Sequence, residues 1–399
     1  MGGKMVGFGR FLLDPERREL SREGVRVQLG SRAMDILCEL ASAKGNVVSK
    51  DHLLERVWPG LSVEDSNIHV HISALRKALD EGPSEQSFVV TVPGRGYRLI
   101  GLQTISGRNE QEPNHFNADP SQINQEIKYC RTSEGVRLAY ATAGSGPPLV
   151  KTANWLNHLE YDWETPVWQH VVHGLAQKHT LIRYDARGTG MSDWDVETLS
   201  LEAWVSDLET VVNAAGVNRF PLLGVSQGCA VSIAYAVRHP ERVSHLILYG
   251  GFALGAAKRS PEERELRAAM ATLMRHGWGS DNPAFRQLFT GQFIPGATPE
   301  QAAFFNELQR RTTSPECAAR YLTAAGEIDV TELLGKVTMP TLVMHARGDA
   351  RVPFELGRSM AAGIPGARFI PLHGQNHLFL KHEAACERFF EEIELFLKQ

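Results

Sequence analysis

A serine hydroxyl is a poor nucleophile until a histidine takes its proton, and that histidine needs a carboxylate to hold its tautomer. One serine of this 399-residue chain is set apart by its neighbours. Ser226 stands in Gly224-Val225-Ser226-Gln227-Gly228, the G-x-S-x-G spacing of a tight turn that lifts a hydroxyl above a sheet between a strand and a helix. Glycines at 224 and 228 allow strand and helix backbones to approach closely. The run Phe220-Pro221-Leu222-Leu223 reads as a strand end, and residues 229–236 continue as a helix. This is the arrangement that acyl-transfer chemistry by a serine requires.

Fifteen histidines could serve as base, and for most of them a surface or core role is the reading. His377, in Gly374-Gln375-Asn376-His377, follows the last expected strand and precedes the final helix, which favours it over His373 and His382. Asp349 lies just past the strand Leu342-Val343-Met344-His345 and before Val352-Pro353; a turn residue after glycine is its other reading. The strand after the serine ends in Tyr249-Gly250-Gly251 with no carboxylate, so Asp349 has no rival there. Asp185, in a stretch running to Ser192, reads as part of a structural loop. Metal-ligand spacing is absent from the His, Cys and Asp positions, and no cofactor is expected.

The elements that must position these groups follow from patterning. Strand-like runs at Val136–Ala143, Leu149–Ala153, His179–Tyr184, Phe220–Val225, Ser244–Gly250, Thr341–His345 and Arg368–Leu372 alternate with helical segments. Such alternation predicts an α/β domain with a mostly parallel sheet. Residues 252–332 interrupt it with a largely helical insertion suited to a lid. Within it Phe285, Phe289 and Phe293 recur every four residues, as lid packing, ligand lining or both. Upstream, the polar segment 104–124 reads as a linker. The expected organisation is 1–103, linker 104–124, and 125–399 with the lid at about 252–332.

The first hundred residues read as a separate α+β unit, with strands and turns over 6–30 and a helix beginning at Ser31 as N-cap. A second helix runs from Ser49 through Leu53, Leu54 and Val57 to Pro59-Gly60, and a third covers about 64–80. Phe88–Val92 and Tyr97–Ile100 then flank a hairpin turn. On the third helix Ile68, Ile72, Leu75 and Leu79 form one apolar stripe. Opposite lie Ser66, Val70, Ser73 and Lys77, with Arg76 on the flank. That face is either an ordinary solvated one or one that enters a DNA major groove, with Lys77 or Arg76 to phosphate or guanine and Val70 against a thymine methyl.

Composition limits the partners. Hydrophobic residues make up 43% and charged residues 22%, with a net charge of −4, which excludes a broadly basic nucleic-acid coat. Residues 1–100 hold 14 Lys/Arg against 13 Asp/Glu, so nonspecific attraction to DNA is expected to be modest. The cysteines (Cys38, Cys130, Cys229, Cys317, Cys386) are scattered without a C-x-x-C pair, as free thiols of a reducing compartment would be. No run approaches the roughly 18–20 apolar residues that span a bilayer. A cytoplasmic protein without a membrane partner is expected.

Two resemblances sharpen these readings. Residues 8–101 resemble the OmpR/PhoB-type winged-helix DNA-binding domain, through VEDSNIHVHISALRKALD (63–80), FVVTVPGRGYRLI (88–100) and Trp58. That family puts its third helix in the major groove and its wing on the minor groove, which implies double-stranded DNA as partner. Thr91, Arg95 and Arg98 would then touch the backbone. Positions 66, 73 and 74, often basic in the family, are Ser, Ser and Ala here, which implies weaker phosphate affinity. Modules of this kind often bind paired half-sites, so a homodimer is a candidate state.

Residues 128–398 resemble the α/β-hydrolase superfamily, with D-x-R-G-x-G-x-S, G-x-S-x-G, G-x-x-D-x-x-x-P and a late Asn-His in order. The resemblance implies Ser226 as nucleophile, His377 as base then acid, Asp349 as orienter, and the N–H of Gln227 as one oxyanion donor. The second donor normally follows a His-Gly pair. Spacing to Trp163 places Asn154-Trp155 there, leaving the Leu156 N–H. A tryptophan at that point narrows the acyl pocket or distorts the hole, and losing one donor typically costs about 10²–10³ in rate. The first expectation is a DNA-binding regulator whose hydrolase domain cleaves a small ester, lactone or related acyl compound. The alternative is a transcription factor whose hydrolase-like domain senses a ligand with little or no turnover.

Overall fold

Short alternating strands open the N-terminal unit, and long apolar strands build the C-terminal one. The computed structural model describes residues 5–8, 11–15, 17–22, 25–43, 46–58, 65–79, 88–92, 96–99, 102–105, 123–280 and 282–398. The chain divides into two compact units, Met1–Phe116 and Asn117–Gln399.

In the first unit the elements are β1 (Met5–Phe8), β2 (Phe11–Asp14), β3 (Glu19–Arg22), β4 (Val25–Val27), α1 (Ser31–Ser42), α2 (Lys50–Val57), α3 (Asp65–Ala78), β5 (Val89–Val92), β6 (Gly96–Leu99) and β7 (Leu102–Ile105). An antiparallel sheet runs β4-β3-β2-β1-β7, and β5 and β6 form a hairpin. The three helices bury Ile36, Leu37, Leu40, Leu53, Val57, Ile68, Ile72 and Leu75 in one core. This is the expected winged-helix architecture, with two corrections. Ser31 is the first helical residue of α1, and Gly30 takes the cap position without a side-chain bond; glycine is tolerated there. Ser49 does cap α2, accepting the His52 N–H at 3.2 Å. Thr104 and Ile105, assigned above to the linker, complete β7 against Val6 and Met5. Four residues merging into a polar tract carry too little alternation to be seen. Positions 106–122 of the expected linker lie outside the described residues.

The second unit contains an eight-stranded sheet: β8 (Gln125–Arg131), β9 (Arg137–Ala143), β10 (Pro148–Lys151), β11 (Thr180–Tyr184), β12 (Phe220–Val225), β13 (Val243–Tyr249), β14 (Thr341–Ala346) and β15 (Arg368–Leu372). Its order is β15-β14-β13-β12-β10-β11-β9-β8, and β9 runs antiparallel to both its neighbours. The central strands are covered on both faces, so they read as near-continuous apolar runs; every residue of β14 is buried. The edge strand β8 escaped the sequence reading because Ile127 and Cys130 are its only inward apolar side chains. After β10 the chain first steps to one side (β11) and then to the other (β12). At such a reversal, the crevice beyond the strands' carboxyl ends is where α/β sheets bind ligands.

Around the sheet pack α4 (Leu159–Glu164), α5 (Gln169–Ala176), α6 (Leu201–Ala214), α7 (Gly228–Arg238), α13 (Phe354–Gly363) and α14 (Ala384–Leu397); the insertion carries α8 (Ala256–Arg259), α9 (Pro261–Gly277), α10 (Pro283–Phe293), α11 (Pro299–Thr312) and α12 (Pro315–Gly326). Each of α9 to α12 starts the same way. Ser260, Asn282, Thr298 or Ser314 accepts a backbone N–H of the first turn, and proline occupies the start of the helix. Both choices suit helix N-termini, where a capping oxygen is needed and a missing N–H costs nothing. Among the described residues no helix is long and apolar enough to cross a membrane.

Candidate active site and DNA-reading face

The turn between β12 and α7 holds Ser226 at φ 56°, a left-handed conformation unusual for a residue with a side chain. The surrounding glycines make it feasible. A Cβ at Gly224 would lie 2.8 Å from the Cys229 Cα, and one at Gly228 would lie 2.8 Å from the Ala153 carbonyl oxygen. The Ser226 N–H donates to the Tyr249 carbonyl at 2.8 Å, pinning the turn to β13.

His377 Nε2 lies 2.9 Å from Ser226 Oγ, and its Nδ1 lies 2.7 Å from Asp349 Oδ2. The ring is buried, its backbone N–H donates to the Phe293 carbonyl at 2.8 Å, and the Phe293 ring meets it edge-on at 5.6 Å. Asp349 Oδ1 accepts the N–H groups of Arg351 (2.8 Å) and Val352 (2.9 Å), while Oδ2 is also 3.4 Å from His345 Nε2. Burial pushes the Asp349 carboxyl up. The charge of His377, hydrogen bonds from both histidines and the Val352 N–H outweigh that, and hold it well below the usual carboxylate range. An ionised Asp349 places the imidazole proton on Nδ1 and leaves Nε2 to accept from the serine. The structure therefore brings Ser226, His377 and Asp349 together.

The segment after β10 forms the opposite wall. Thr152 is tied to β12 through its N–H to the Leu223 carbonyl (2.9 Å) and to α7 through Ser232 Oγ (2.7 Å). Lys151 Nζ donates to Asn154 Oδ1 at 2.5 Å, and Asn154 Nδ2 donates to the Trp155 carbonyl at 2.9 Å. Burial lowers the Lys151 ammonium, opposed by Asp162. Leu156 sits at φ 60°, a second strained non-glycine residue. Gln227 is the N-cap residue of α7, so its N–H belongs to the positive end of that helix. The Trp155 ring packs on Tyr321 (centroids 4.8 Å) and Trp278 (5.6 Å). Asp185 braces this segment: its Oδ2 accepts from Met191 (2.8 Å) and Leu159 (3.2 Å), and its Oδ1 from Asn157 Nδ2 (2.5 Å). Burial pushes its carboxyl up to about 7.

Ser226 opens into a cleft of about 460 Å³, including its mouth, lined by Trp155, Gln227, Phe252, Arg259, Arg267, Phe293, Leu322, Ala325, Arg351 and Val352. The insertion thus supplies one side of the cleft. Both readings of its phenylalanine repeat hold in part. Phe289 packs on Trp278 at 5.5 Å, whereas Phe293 both packs on Phe305 at 5.3 Å and lines the cleft beside His377. The three cleft arginines were not anticipated. Arg351 follows Asp349 by two residues and was within reach of a motif reading; Arg259 and Arg267 lie in the insertion, where no spacing points to them.

In the first unit, Ile68, Ile72, Leu75 and Leu79 of the α3 stripe are buried. On the other face Val70 is 64% exposed, and Ser73 and Lys77 are also exposed. The Ser66 side chain and Arg95 lie outside the described residues. Arg76 departs from expectation: its guanidinium turns to the hairpin, donating to the Val89 carbonyl (2.7 and 3.1 Å) and to Thr91 Oγ1 (2.8 Å). It ties α3 to β5. Thr91 and Arg98 are exposed on the hairpin. Among the described residues no group of three or more His, Cys, Asp or Glu is placed to hold a metal ion.

Comparison with known proteins agrees with both halves. The family described as alpha/beta hydrolase fold matches residues 160–383, more than half of the chain. The family described as transcriptional regulatory protein, C terminal, matches residues 24–99. The pyrrolizixenacetamide deacetylase of Xenorhabdus hominickii is 28% identical over 246 residues, covering 59% of this chain and 86% of that protein. The transcriptional activator CadC of Escherichia coli is 34% identical over 97 residues, 24% of this chain and 19% of that protein. A thermophilic esterase from Thermogutta terrifontis matches in structure with a TM-score of 0.57 and 25% identity, over 68% of this chain and 98% of that one.

Proposed function

The chain belongs to the α/β hydrolase fold family and carries an N-terminal DNA-binding regulatory domain, and from that premise we propose that Ser226 cleaves a small ester, lactone or related acyl compound. The observation that carries the proposal is Ser226 at φ 56°, with its Oγ 2.9 Å from a histidine whose other nitrogen lies 2.7 Å from a carboxylate. In the reaction, Oγ attacks the acyl carbon while His377 Nε2 takes the hydroxyl proton. The N–H groups of Gln227 and Leu156 serve the oxyanion. As the tetrahedral centre collapses, His377 passes the proton to the departing alkoxide and an acyl-serine remains. Water, deprotonated by His377, then attacks the acyl-serine, releasing the carboxylic acid and returning the proton to Ser226. Asp349 keeps the imidazole oriented and stabilises its positive charge throughout. The deacetylase and esterase relatives support acyl chemistry for the site.

On DNA, α3 would enter the major groove with Val70, Ser73 and Lys77 outward, and Thr91, Arg95 and Arg98 of the hairpin would meet the backbone. Two copies on paired half-sites would give a dimer. A second reading, ligand sensing with little or no turnover, rests on Trp155. Its ring stands beside the nucleophile where a glycine is usual and is held there by two aromatic neighbours. Steady-state hydrolysis of 4-nitrophenyl butyrate separates the two. Continued release of nitrophenol, lost in Ser226→Ala, supports the enzyme. A single burst followed by altered DNA affinity supports the sensor.

A further inference from the structure

The two buried arginines of this unit, Arg187 and Arg183, spend most of their donors on the protein, although Arg183 Nε has no partner among the described residues. Arg187 meets Asp207 through Nε and Nη2 at 2.7–3.0 Å, and Arg183 lies beside Asp162 and donates to Gln125 and to the Leu159 carbonyl. The three arginines of the Ser226 cleft behave differently. They converge from separate places: Arg259 at the end of α8, Arg267 within α9, and Arg351 in the turn after Asp349. Among the described residues one carboxylate forms an ion pair with them, Glu263, 2.9 Å from Arg259. Asp349, the other acid nearby, is committed to its histidines and to two N–H groups. Arg259 Nε is buried without a partner among the described residues. Among the described residues no hydrogen bond or ion pair holds the Arg267 guanidinium. Arg351 donates to the neutral Gln292 at 3.0 Å and lies over the Phe293 ring at 5.1 Å.

We propose that this cleft is built for an acyl substrate that carries a carboxylate, with Arg259, Arg267 and Arg351 receiving the anion while Trp155, Phe252 and Leu322 cover its carbon chain. The proposal names the substrate class for the reading of Ser226 given above and rests on it. Counting Glu263 and the ionised Asp349, the three guanidinium charges exceed the local carboxylates by one, and they crowd one another. Burial, then the charge of Arg259, lowers Arg267 to about 10; burial, then Arg267, lowers Arg351 to about 9. Guanidinium keeps its proton in a protein at neutral pH, so the crowding is a like-charge cost that the protein's own groups do not offset. A bound carboxylate removes that cost and supplies acceptors for the unused donors. Planar, forked guanidinium donors match a carboxylate in particular.

The test compares two chromogenic esters of matched shape on the full chain: 4-nitrophenyl hemiglutarate, with a terminal carboxylate, and 4-nitrophenyl 5-methylhexanoate, with a neutral branched end. The expected kcat/KM ratio favours the hemiglutarate by about tenfold or more, the scale of one charge-assisted contact. Arg267→Met should lower that ratio about tenfold, whereas Arg275→Met, at the exposed end of α9, should leave it as in the parent. A parent ratio of one or less, or a ratio unmoved by Arg267→Met, overturns the proposal; a fluorophosphonate adduct on Ser226 in that same protein leaves the nucleophile standing. If neither ester turns over and no adduct forms, titration calorimetry with glutarate decides. Binding heat that Arg267→Met abolishes upholds the anion site while the hydrolase reading falls. Absence of binding heat in the parent overturns the anion site as well.

Discussion

At the scale of single residues, the strain at Ser226 and the bond from Asp349 are two halves of one device. A non-glycine residue in the left-handed region costs about 1–3 kcal/mol and persists only where its surroundings hold it. Here the Tyr249 carbonyl and the two flanking glycines do so, and the hydroxyl is delivered to His377. Asp349→Asn should keep the fold but favour the wrong imidazole tautomer, lowering kcat by about 10³–10⁴ with KM little changed; steady-state kinetics on a chromogenic ester checks this. The same carboxylate sets an acid limb. Its folded pKa lies below the unfolded value of about 3.9. The stability it contributes is therefore fully present above that value and is lost as pH falls through the folded pKa. Melting curves from pH 6 down to pH 3 should show the stability gap between parent and Asp349→Asn closing as the pH drops. That Ser226, His377 and Asp349 meet was legible in the sequence because each follows a strand end whose neighbours are constrained by close packing. Arg259 and Arg267 were not legible, because helical spacing in the insertion says which residues share a face but not which face meets the nucleophile.

At the scale of elements, the hairpin of the DNA-reading unit depends on one glycine. Gly96 has φ 132°, and a Cβ there would lie 2.0 Å from the Val48 carbonyl oxygen. The contact is the bridge that joins Tyr97 to Val48, with bonds of 2.8 and 3.0 Å. Gly96→Ala therefore combines a disfavoured backbone with a backbone clash. It should destabilise the first unit by about 3 kcal/mol or more, abolishing DNA binding while leaving fluorophosphonate labelling of Ser226 intact. Gel shift and intact mass on the same preparation read both. The interior parallel strands were legible from their apolar runs, and the apolar stripe of α3 from its period. The edge strands β7 and β8 were not: β7 is four residues long, β8 has few buried side chains, and pairing with a neighbour, not composition, makes them strands. Arg76 shows a related limit, since a helical wheel put it beside the DNA face while the hairpin that claims it lies beyond the end of the helix, where the wheel does not reach.

At the scale of the whole molecule, the chain joins a weakly charged DNA reader to a hydrolase fold. The small basic excess in residues 1–100 predicts few phosphate contacts and a shallow salt dependence. Lys77→Ala and Arg98→Ala should each reduce the slope of log K against log[salt] by about 0.9; binding isotherms across a salt series measure it. Both units were recognisable from the sequence, because each repeats an ordered series of turns and motifs. What the fusion does depends on whether Ser226 reacts. The most direct measurement is the intact mass of the full chain after exposure to a fluorophosphonate, beside Ser226→Ala. An activated Ser226 gives a single adduct in the parent that is absent from the variant. An unmodified parent that is folded and still binds DNA would contradict it.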